Sequence, residues 1–537
     1  MRSIGAGRTG RPTTRATEGM VATPHYLASV AGLRVLQEGG NAVDAAVAAN
    51  AVLNVVYPNQ CSLGGDAFFL IWEPSEERLL ALNGSGRAPA QASPEAVRAA
   101  GCTTMPQRGA WAVTVPGTVD AWAAALARCG SRPLGELLRP AIEYAERGFV
   151  VTPLLSEAIA DTAEVLRAQA AAYRQFLPQG RPPRPGERLV QPDLARSLRL
   201  LAEHGPDAFY RGPIGEAIVA TVRSARGVLT LDDLAEHRST WVEPISTTYR
   251  GLELVELPPN THGVTALEMA NIMEGYEVAD LGWGSAELLH RMVEAKKLAF
   301  ADRDRYVGDP DFVQVPLDRL LDKRYAEELR RRIDPERALS VPSVTWDNDT
   351  VYLCAVDREG RAVSLIQSIF QSFGSGLVAE GTGIVLHNRG ACFTLDPASP
   401  NCLAPGKRPL HTLIPAMLLR DGLPWVVFGS MGGHGQPQIQ LQLLANLVDF
   451  ELGPQAAIEA PRWLSRLEPG DEVETLYLEP GFDVSVGEEL ERRGHNVRWV
   501  RGWDSLMGHA QMIRIDREHG VLEGAADPRA EGYALGW

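Results

Sequence analysis

Residues Val351 to Val356 read VYLCAV, apolar at nearly every position. A strand with one wet face alternates polar and apolar residues; an unbroken apolar run marks a strand covered on both faces. Such a strand needs a layer of structure on each side. The residues around it supply the pieces. Asp357 to Gly360 reads as a turn and Ala362 to Gln367 as the returning strand. A second pair runs Leu413–Leu419, turn Arg420–Gly422, then Pro424–Gly429, followed by a glycine-rich bend, Ser430 to Gly435, and a helix from about Gln436 to Phe450. Buried strands flanked by helices indicate a layered α/β core.

The region before residue 340 reads differently. Asn41 suits a helix N-cap, with Asp44 three residues on to complete a box, and the alanine-rich run AVDAAVAANAVLNVV should be helical and stop before Pro58. Further helices are expected at Gly135–Arg147 and Gly284–Tyr306, so this region is read as helix-rich. Leu177 to Gly186 (LPQGRPPRPG) reads as a surface loop, and Met1 to Gly19 as a loose tail.

Composition removes several function classes. The chain has 537 residues, 52 basic and 67 acidic, for a net charge of -15. That balance disfavours nucleic acid and anionic membranes as partners. No stretch of about 18 apolar residues would cross a bilayer, and the first 25 residues lack an apolar signal core, so a cytoplasmic protein is expected. The cysteines at 61, 102, 129, 354, 392 and 402 form no CxxC pair and no zinc spacing, so free thiols and no metal are expected.

Three features carry chemistry. Asp349-Thr350 stands at the edge of the buried strand. A threonine hydroxyl is a weak nucleophile, but a threonine that becomes a chain terminus carries its own base, an α-amine titrating near physiological pH. No GxSxG elbow, SxxK or HExxH offers another route. Gly429-Ser430-Met431-Gly432-Gly433, between strand and helix, lets backbone amides converge as an oxyanion hole would need. The same bend could serve a phosphate or be a plain tight turn; no Lys-Ser/Thr follows it and the spacing is not GxGxxG. Finally, Arg87 in NGSGRAP, Ser368, Arg389 and His411-Thr412 are loop residues that could touch a substrate, and each could equally be a cap or surface residue.

Taken together the residues resemble the gamma-glutamyltransferase family. GGNAVDAA at 39–46, VPGTVDAW at 115–122, PAIEYAERGF at 140–149, EAKKLAFADRDRYVGDPDF at 294–312, DTVYLCAVDREGRAVSL at 349–365, FGSGLV at 373–378, KRPLHTLIPAM at 407–417 and GSMGG at 429–433 carry the resemblance, over roughly residues 20–537. It implies an N-terminal nucleophile hydrolase: an α/β fold with a four-layer αββα sandwich and a helix-rich large-chain region. It implies a precursor that cuts itself before Thr350, giving a large chain 1–349 and a small chain 350–537 within one composite fold. Thr350 would be the nucleophile, Gly432 and Gly433 the oxyanion donors, each worth about 3 kcal/mol, and Ser368 the hydroxyl beside the nucleophile. The resemblance implies no metal and no organic cofactor. A small-molecule amide would be the substrate, and a homodimer of large–small pairs is the further assembly considered.

Departures from the family lie in the pocket. The run His387-Asn388-Arg389-Gly390-Ala391-Cys392 puts Cys392 where glutamyl transferases hold the α-amine with an acid. Phe370 replaces an asparagine serving the same group. His411 and Thr412 replace paired serines. The carboxylate-binding arginine aligns on Ser85, with Arg87 two residues on. A buried ammonium without counter-charge costs several kcal/mol, so the expected acyl group bears a carboxylate but no amine, and Arg87→Ala is expected to raise KM. The short connection from Cys392 to His411 suggests an open pocket that favours hydrolysis. This resembles the branch holding cephalosporin (glutaryl) acylases and oxamate amidohydrolase, while glutathione hydrolysis stays open. Outside this class stand a binding protein that kept the fold without the chemistry and a nucleotide-binding α/β enzyme.

Overall fold

The computed structural model describes residues 10–340, 349–468, 471 and 473–537. Two seven-stranded antiparallel sheets lie at its centre. The first runs Ala534–Gly536, Met20–Ala22, Asp349–Val356, Ala362–Phe370, Asp66–Glu73, Arg78–Asn83, Thr240–Val242. The second runs Thr14–Ala16, Val521–Ala526, Ala510–Asp516, Leu423–Ser430, Ala416–Arg420, Leu252–Glu256, Ile245–Tyr249.

The period of two along a strand explains the layering. On Asp349–Val356, Tyr352, Cys354 and Val356 point into a core shared with Met417, Val427 and Ile513 of the second sheet. Val351, Leu353 and Ala355 point the other way, into a core with Val47, Val52 and other residues of the helix Ala42–Val56. Both faces are dry, as the apolar run requires. The outer face of the second sheet, through Leu254, Leu418 and Phe428, packs on the helices Gly263–Glu274, Ala286–Tyr306 and Gln436–Val448. The order is helix, sheet, sheet, helix.

Local chemistry sets the element ends. Asn41 accepts from the amides of Val43 and Asp44, and Asp44 answers on the amide of Asn41 at 2.9 Å, the expected box. The Asp357 carboxylate turns the hairpin by accepting from the Arg361 amide at 2.9 Å and reaches the Ala42 amide at 2.9 Å, so it also neutralises the positive end of that helix. The two expected strand pairs and the helix after the glycine bend are present, at Ala416–Arg420, Leu423–Ser430 and Gln436–Val448.

Two expectations are corrected. The helix expected at Gly135–Arg147 is two pieces, Leu134–Leu137 and Arg139–Arg147, because Pro140 lacks the amide that would continue the first. The region before 340 is helix-rich, as expected, and also supplies seven of the fourteen strands, three to the second sheet and four to the first. The tail is ordered from Thr14, which pairs with Gly524; residues 1–9 lie outside the described residues, as do 341–348 just before the expected cleavage bond.

Candidate active site

Thr350 begins the strand that both cores bury, and the ladder is irregular there. Asp349 pairs with Phe370 and Val351 with Gln367, so Ser368 and Ile369 both face the single residue Thr350. Such a bulge re-aims a side chain out of the regular pleat. The fully buried Thr350 hydroxyl donates to Ser368 Oγ at 3.2 Å. Ser368 Oγ also receives the Phe370 amide at 2.7 Å and Arg389 Nη2 at 3.3 Å. Phe370 sits at φ 77°, turning the chain off the strand end and laying its ring under the Arg389 guanidinium, 4.4 Å from carbon to centroid. Arg389 Nη1 donates to Thr412 Oγ1 at 3.0 Å and meets Cys392 Sγ at 3.8 Å.

Thr350, Ser368, Phe370, Arg389 and Thr412 thus form one contiguous cluster. His411 stands behind it. Its Nε2 is 3.1 Å from Asp66 Oδ2, its ring packs edge-on to Phe68, and burial pushes its pKa down to about 3. Asp66 was missed from sequence. It pairs in register with Ser368, accepts the amides of Gly86 and Gly117, and lies 3.5 Å from His387 Nδ1. Burial would raise its pKa, but His387 and His411 hold it well below the usual carboxylate range. The signal for it was Gly64-Gly65 ahead of an acid that opens the apolar run AFFLIW.

Arg87 and Ser85, expected as substrate contacts, already have protein partners. Arg87 donates to Gly406 O at 3.0 Å and pairs with Asp311 at 2.8 Å and Asp309 at 3.5 Å, with 37% of its side chain exposed. Its charge is spent on those acids. Ser85 is locked between Asn83 Oδ1 at 2.7 Å and Asn260 Nδ2 at 3.2 Å.

The glycine bend follows the strand Leu423–Ser430 of the second sheet. Gly429 lies flat on the Tyr352 ring, with no room for a Cβ, so the strand end before the bend packs closely on the strand Asp349–Val356. Gly432 and Gly433 sit at φ 136° and 50°, backbone that favours glycine. Among the described residues neither of their amides has an acceptor, whereas the neighbouring Met431 amide bonds to His509 O at 3.0 Å. His434 follows. Its Nδ1 is 2.8 Å from Arg303 Nη1; a guanidinium only donates, so Nδ1 accepts and Nε2 carries the proton. That N–H has no partner among the described residues. His434, Arg303, Cys392 and Asn401 line a cleft of about 780 Å³ that opens beside the cluster.

One grouping has metal-ligand chemistry among the described residues: His290, Glu294 and His495. Its atoms are already bonded. His290 Nδ1 meets His495 Nε2 at 2.8 Å, and Glu294 accepts from Lys297 at 2.7 Å and from the Leu339 amide at 2.8 Å. It clamps the segment leading to the 349–350 junction and does not read as a metal centre.

The helix–sheet–sheet–helix core is that of the N-terminal nucleophile hydrolases. The gamma-glutamyltranspeptidase family profile matches residues 28–537, and the chain belongs to that family. It is 42% identical to the glutathione hydrolase-like YwrD proenzyme of Bacillus subtilis, over 97% of this chain and 98% of that one. It is 41% identical to the oxamate amidohydrolase proenzyme of Klebsiella pneumoniae, over 97% and 99%. The crystal structure of cephalosporin acylase from Bacillus halodurans superposes with a TM-score of 0.92 at 41% identity, covering 100% and 99% of the two chains. No helix among the described residues is long and apolar enough to cross a membrane.

Proposed function

We propose that this chain is a precursor that cuts itself between Asp349 and Thr350 and then hydrolyses a small amide through an acyl-Thr350 intermediate. The observation that carries this reading is the buried Thr350 hydroxyl, held on Ser368 at a strand bulge. The names of two relatives, both proenzymes, and of the cephalosporin acylase support it.

In self-cleavage the Thr350 oxygen attacks the Asp349 carbonyl carbon, the C–N bond breaks, and the resulting ester is hydrolysed by water, leaving a free Thr350 α-amine. In turnover that amine takes the hydroxyl proton as oxygen attacks the substrate carbonyl. The Gly432 and Gly433 amides receive the oxyanion. The proton passes to the departing amine, and water, deprotonated by the same α-amine, releases the acid. Arg389 assists the base: a neighbouring cation disfavours the protonated amine and keeps it neutral at lower pH.

The test is the intact mass of the denatured protein with the N-terminal sequence of each fragment. Two chains are expected, the smaller beginning at Thr350. Thr350→Ala is expected to give one uncut chain and to lose amide hydrolysis by at least about 10⁴-fold, the scale for loss of a nucleophile. Splitting at that bond in Thr350→Ala overturns the assignment.

A further inference from the structure

Arg389 is fully buried and has no carboxylate within ion-pairing distance among the described residues. Its partners are two hydroxyls and a thiol. Burial pushes the Cys392 thiol pKa up, so Cys392 stays neutral and is no counter-charge. Asp66 is occupied by His411, Gly86 and Gly117. A buried charge left without an opposite charge is strongly unfavourable, and its persistence beside a nucleophile points to a ligand that supplies the missing anion.

The orientation narrows that ligand. Phe370 covers one face of the guanidinium. Nη1 faces Thr412 and Cys392. The edge formed by Nε and Nη2 is different: among the described residues Nε has no acceptor, and Nη2 makes only the long 3.3 Å contact to Ser368. That edge is the fork that binds a carboxylate bidentately. It lies on the nucleophile's side. Arg389 Nη2 to Ser368 Oγ is 3.3 Å and Ser368 Oγ to Thr350 Oγ1 is 3.2 Å, so the guanidinium nitrogen is at most 6.5 Å from the attacking oxygen.

We propose that Arg389 anchors the carboxylate of the acyl group, and that its closeness to Thr350 selects monoamides of the shortest dicarboxylic acids, oxalyl and malonyl, over glutaryl or γ-glutamyl donors. This rests on Thr350 being the nucleophile. A reacting carbonyl carbon sits about 3–3.5 Å from the attacking oxygen, and a carboxylate oxygen about 2.8 Å from its guanidinium nitrogen. In an oxalyl group that carbon and that oxygen are about 2.4 Å apart, a span that bridges the two positions with a single bend. A glutaryl chain adds three methylenes and must fold back on itself inside a buried corner. The charge that an ammonium group would meet there is the wrong sign, so an amino-acid head is rejected as well.

The experiment measures ammonia release from oxamate, malonamate, succinamate and glutaramate, with acetamide as the neutral amide, for the self-cleaved protein and for Arg389→Gln and Arg389→Lys. The expected result is kcat/KM at least tenfold higher for oxamate or malonamate than for glutaramate. In Arg389→Gln the kcat/KM ratio of the best anionic amide over acetamide should fall about 100-fold, the scale for truncating a buried charge partner. Arg389→Lys should restore part of it, since it keeps the charge without the fork. The loss should fall chiefly on KM, and the acid limb of the pH profile should move to higher pH in Arg389→Gln. Equal turnover along the series, or an unchanged ratio in Arg389→Gln, overturns the proposal. If the protein turns over none of the amides, the reading of Thr350 fails. Calorimetric titration with oxalate and glutarate still decides on Arg389: tighter oxalate binding lost in Arg389→Gln supports it, and equal or absent binding overturns it.

Discussion

Two groups of buried arginine in this molecule have opposite surroundings. Arg462 and Arg529 are as buried as Arg389, at 2% and 3% exposure. Arg462 pairs with Asp527 at 2.7 Å, and Arg529 pairs with Asp527 at 3.1 Å and binds Glu479 through Nε at 2.7 Å. Their other Nη donors reach the carbonyls of Ile458, Ala460, Met507 and Gly508, and Arg462 Nε has no partner among the described residues, so the contrast with Arg389 lies in the carboxylates. Two cations meet two carboxylates, and the chain is cross-braced from residue 458 to 529. At Arg389 the cation is as dry, yet no acid pairs with it among the described residues. The first arrangement is a completed structure. The second is incomplete until a ligand arrives, and the incompleteness is what marks it as a site.

The comparison breaks most sharply if an acid is removed from the completed group. Glu479→Ala leaves Arg529 with Asp527 alone and is expected to cost about 3–5 kcal/mol of stability, read by urea unfolding. The molecules still folded should keep their kcat/KM, because Glu479 touches none of the cluster around Thr350. The mirror experiment is Arg389→Met. Removing an unneutralised buried charge is expected to stabilise the ligand-free protein by about 1–4 kcal/mol, with activity on anionic amides lost. If both substitutions destabilise equally, Arg389 is a structural residue and the contrast fails.

Acid separates the two groups next. His509 beside the paired arginines has its pKa pushed by burial down to about 4, and His237 likewise; burial takes His25 and His411 to about 3. Each is neutral in the folded protein and takes a proton on unfolding below about pH 6.5. Their stabilising share is therefore complete above that pH. It is lost as pH falls, by up to about 1.4 kcal/mol per unit per residue, until the folded forms protonate near pH 4 and 3. Glu256 and Glu268, whose pKa values burial raises, run the other way and gain as pH falls toward the ordinary carboxyl range. Among the described residues eight histidines are lowered by burial and five carboxyls (Glu256, Glu268, Asp357, Asp449 and Glu531) are raised by it, so the unfolding midpoint should drop between pH 6.5 and 4.5. A flat profile would mean that these histidines are hydrated and charged in solution.

Much of this was legible in the sequence because it is written locally. VYLCAV could only be a strand dry on both faces, Asn41 and Asp44 could only begin a helix well, and adjacent glycines after Phe428 could only be a bend. The site residues adjacent to such signals, Thr350, Ser368, Gly432 and Gly433, fell where strand ends and bends placed them. What was not legible depends on pairing across long separations. Asp66 matters because it stands opposite Ser368, and the local signal, Gly64-Gly65 before an acid, marks the residue without naming that partner. The strands before residue 340 were hidden for the same reason. DAFFLIWE has no alternation to read, and its place beside Ala362–Phe370 comes only from the return of the chain.

Arg87 shows the limit most clearly, and supplies the smallest expected effect. By position alone it was the cation to hold an acyl carboxylate. In the structure it pairs with buried Asp309 and exposed Asp311, and the guanidinium edge without an acceptor among the described residues is that of Arg389, three hundred residues later. The pair with Asp311 is exposed on both sides, and such pairs are worth about 0–1 kcal/mol. Arg87→Ala is therefore expected to leave KM for carboxylate-bearing amides within about twofold, since at most about 0.4 kcal/mol of binding would be at stake there, and to leave the kcat/KM ratio over acetamide unchanged. A large rise in KM specific to anionic donors would return the carboxylate to Arg87. It would also require Asp309 and Asp311 to release that side chain when substrate binds, and Arg389 would then need another reason to be buried alone.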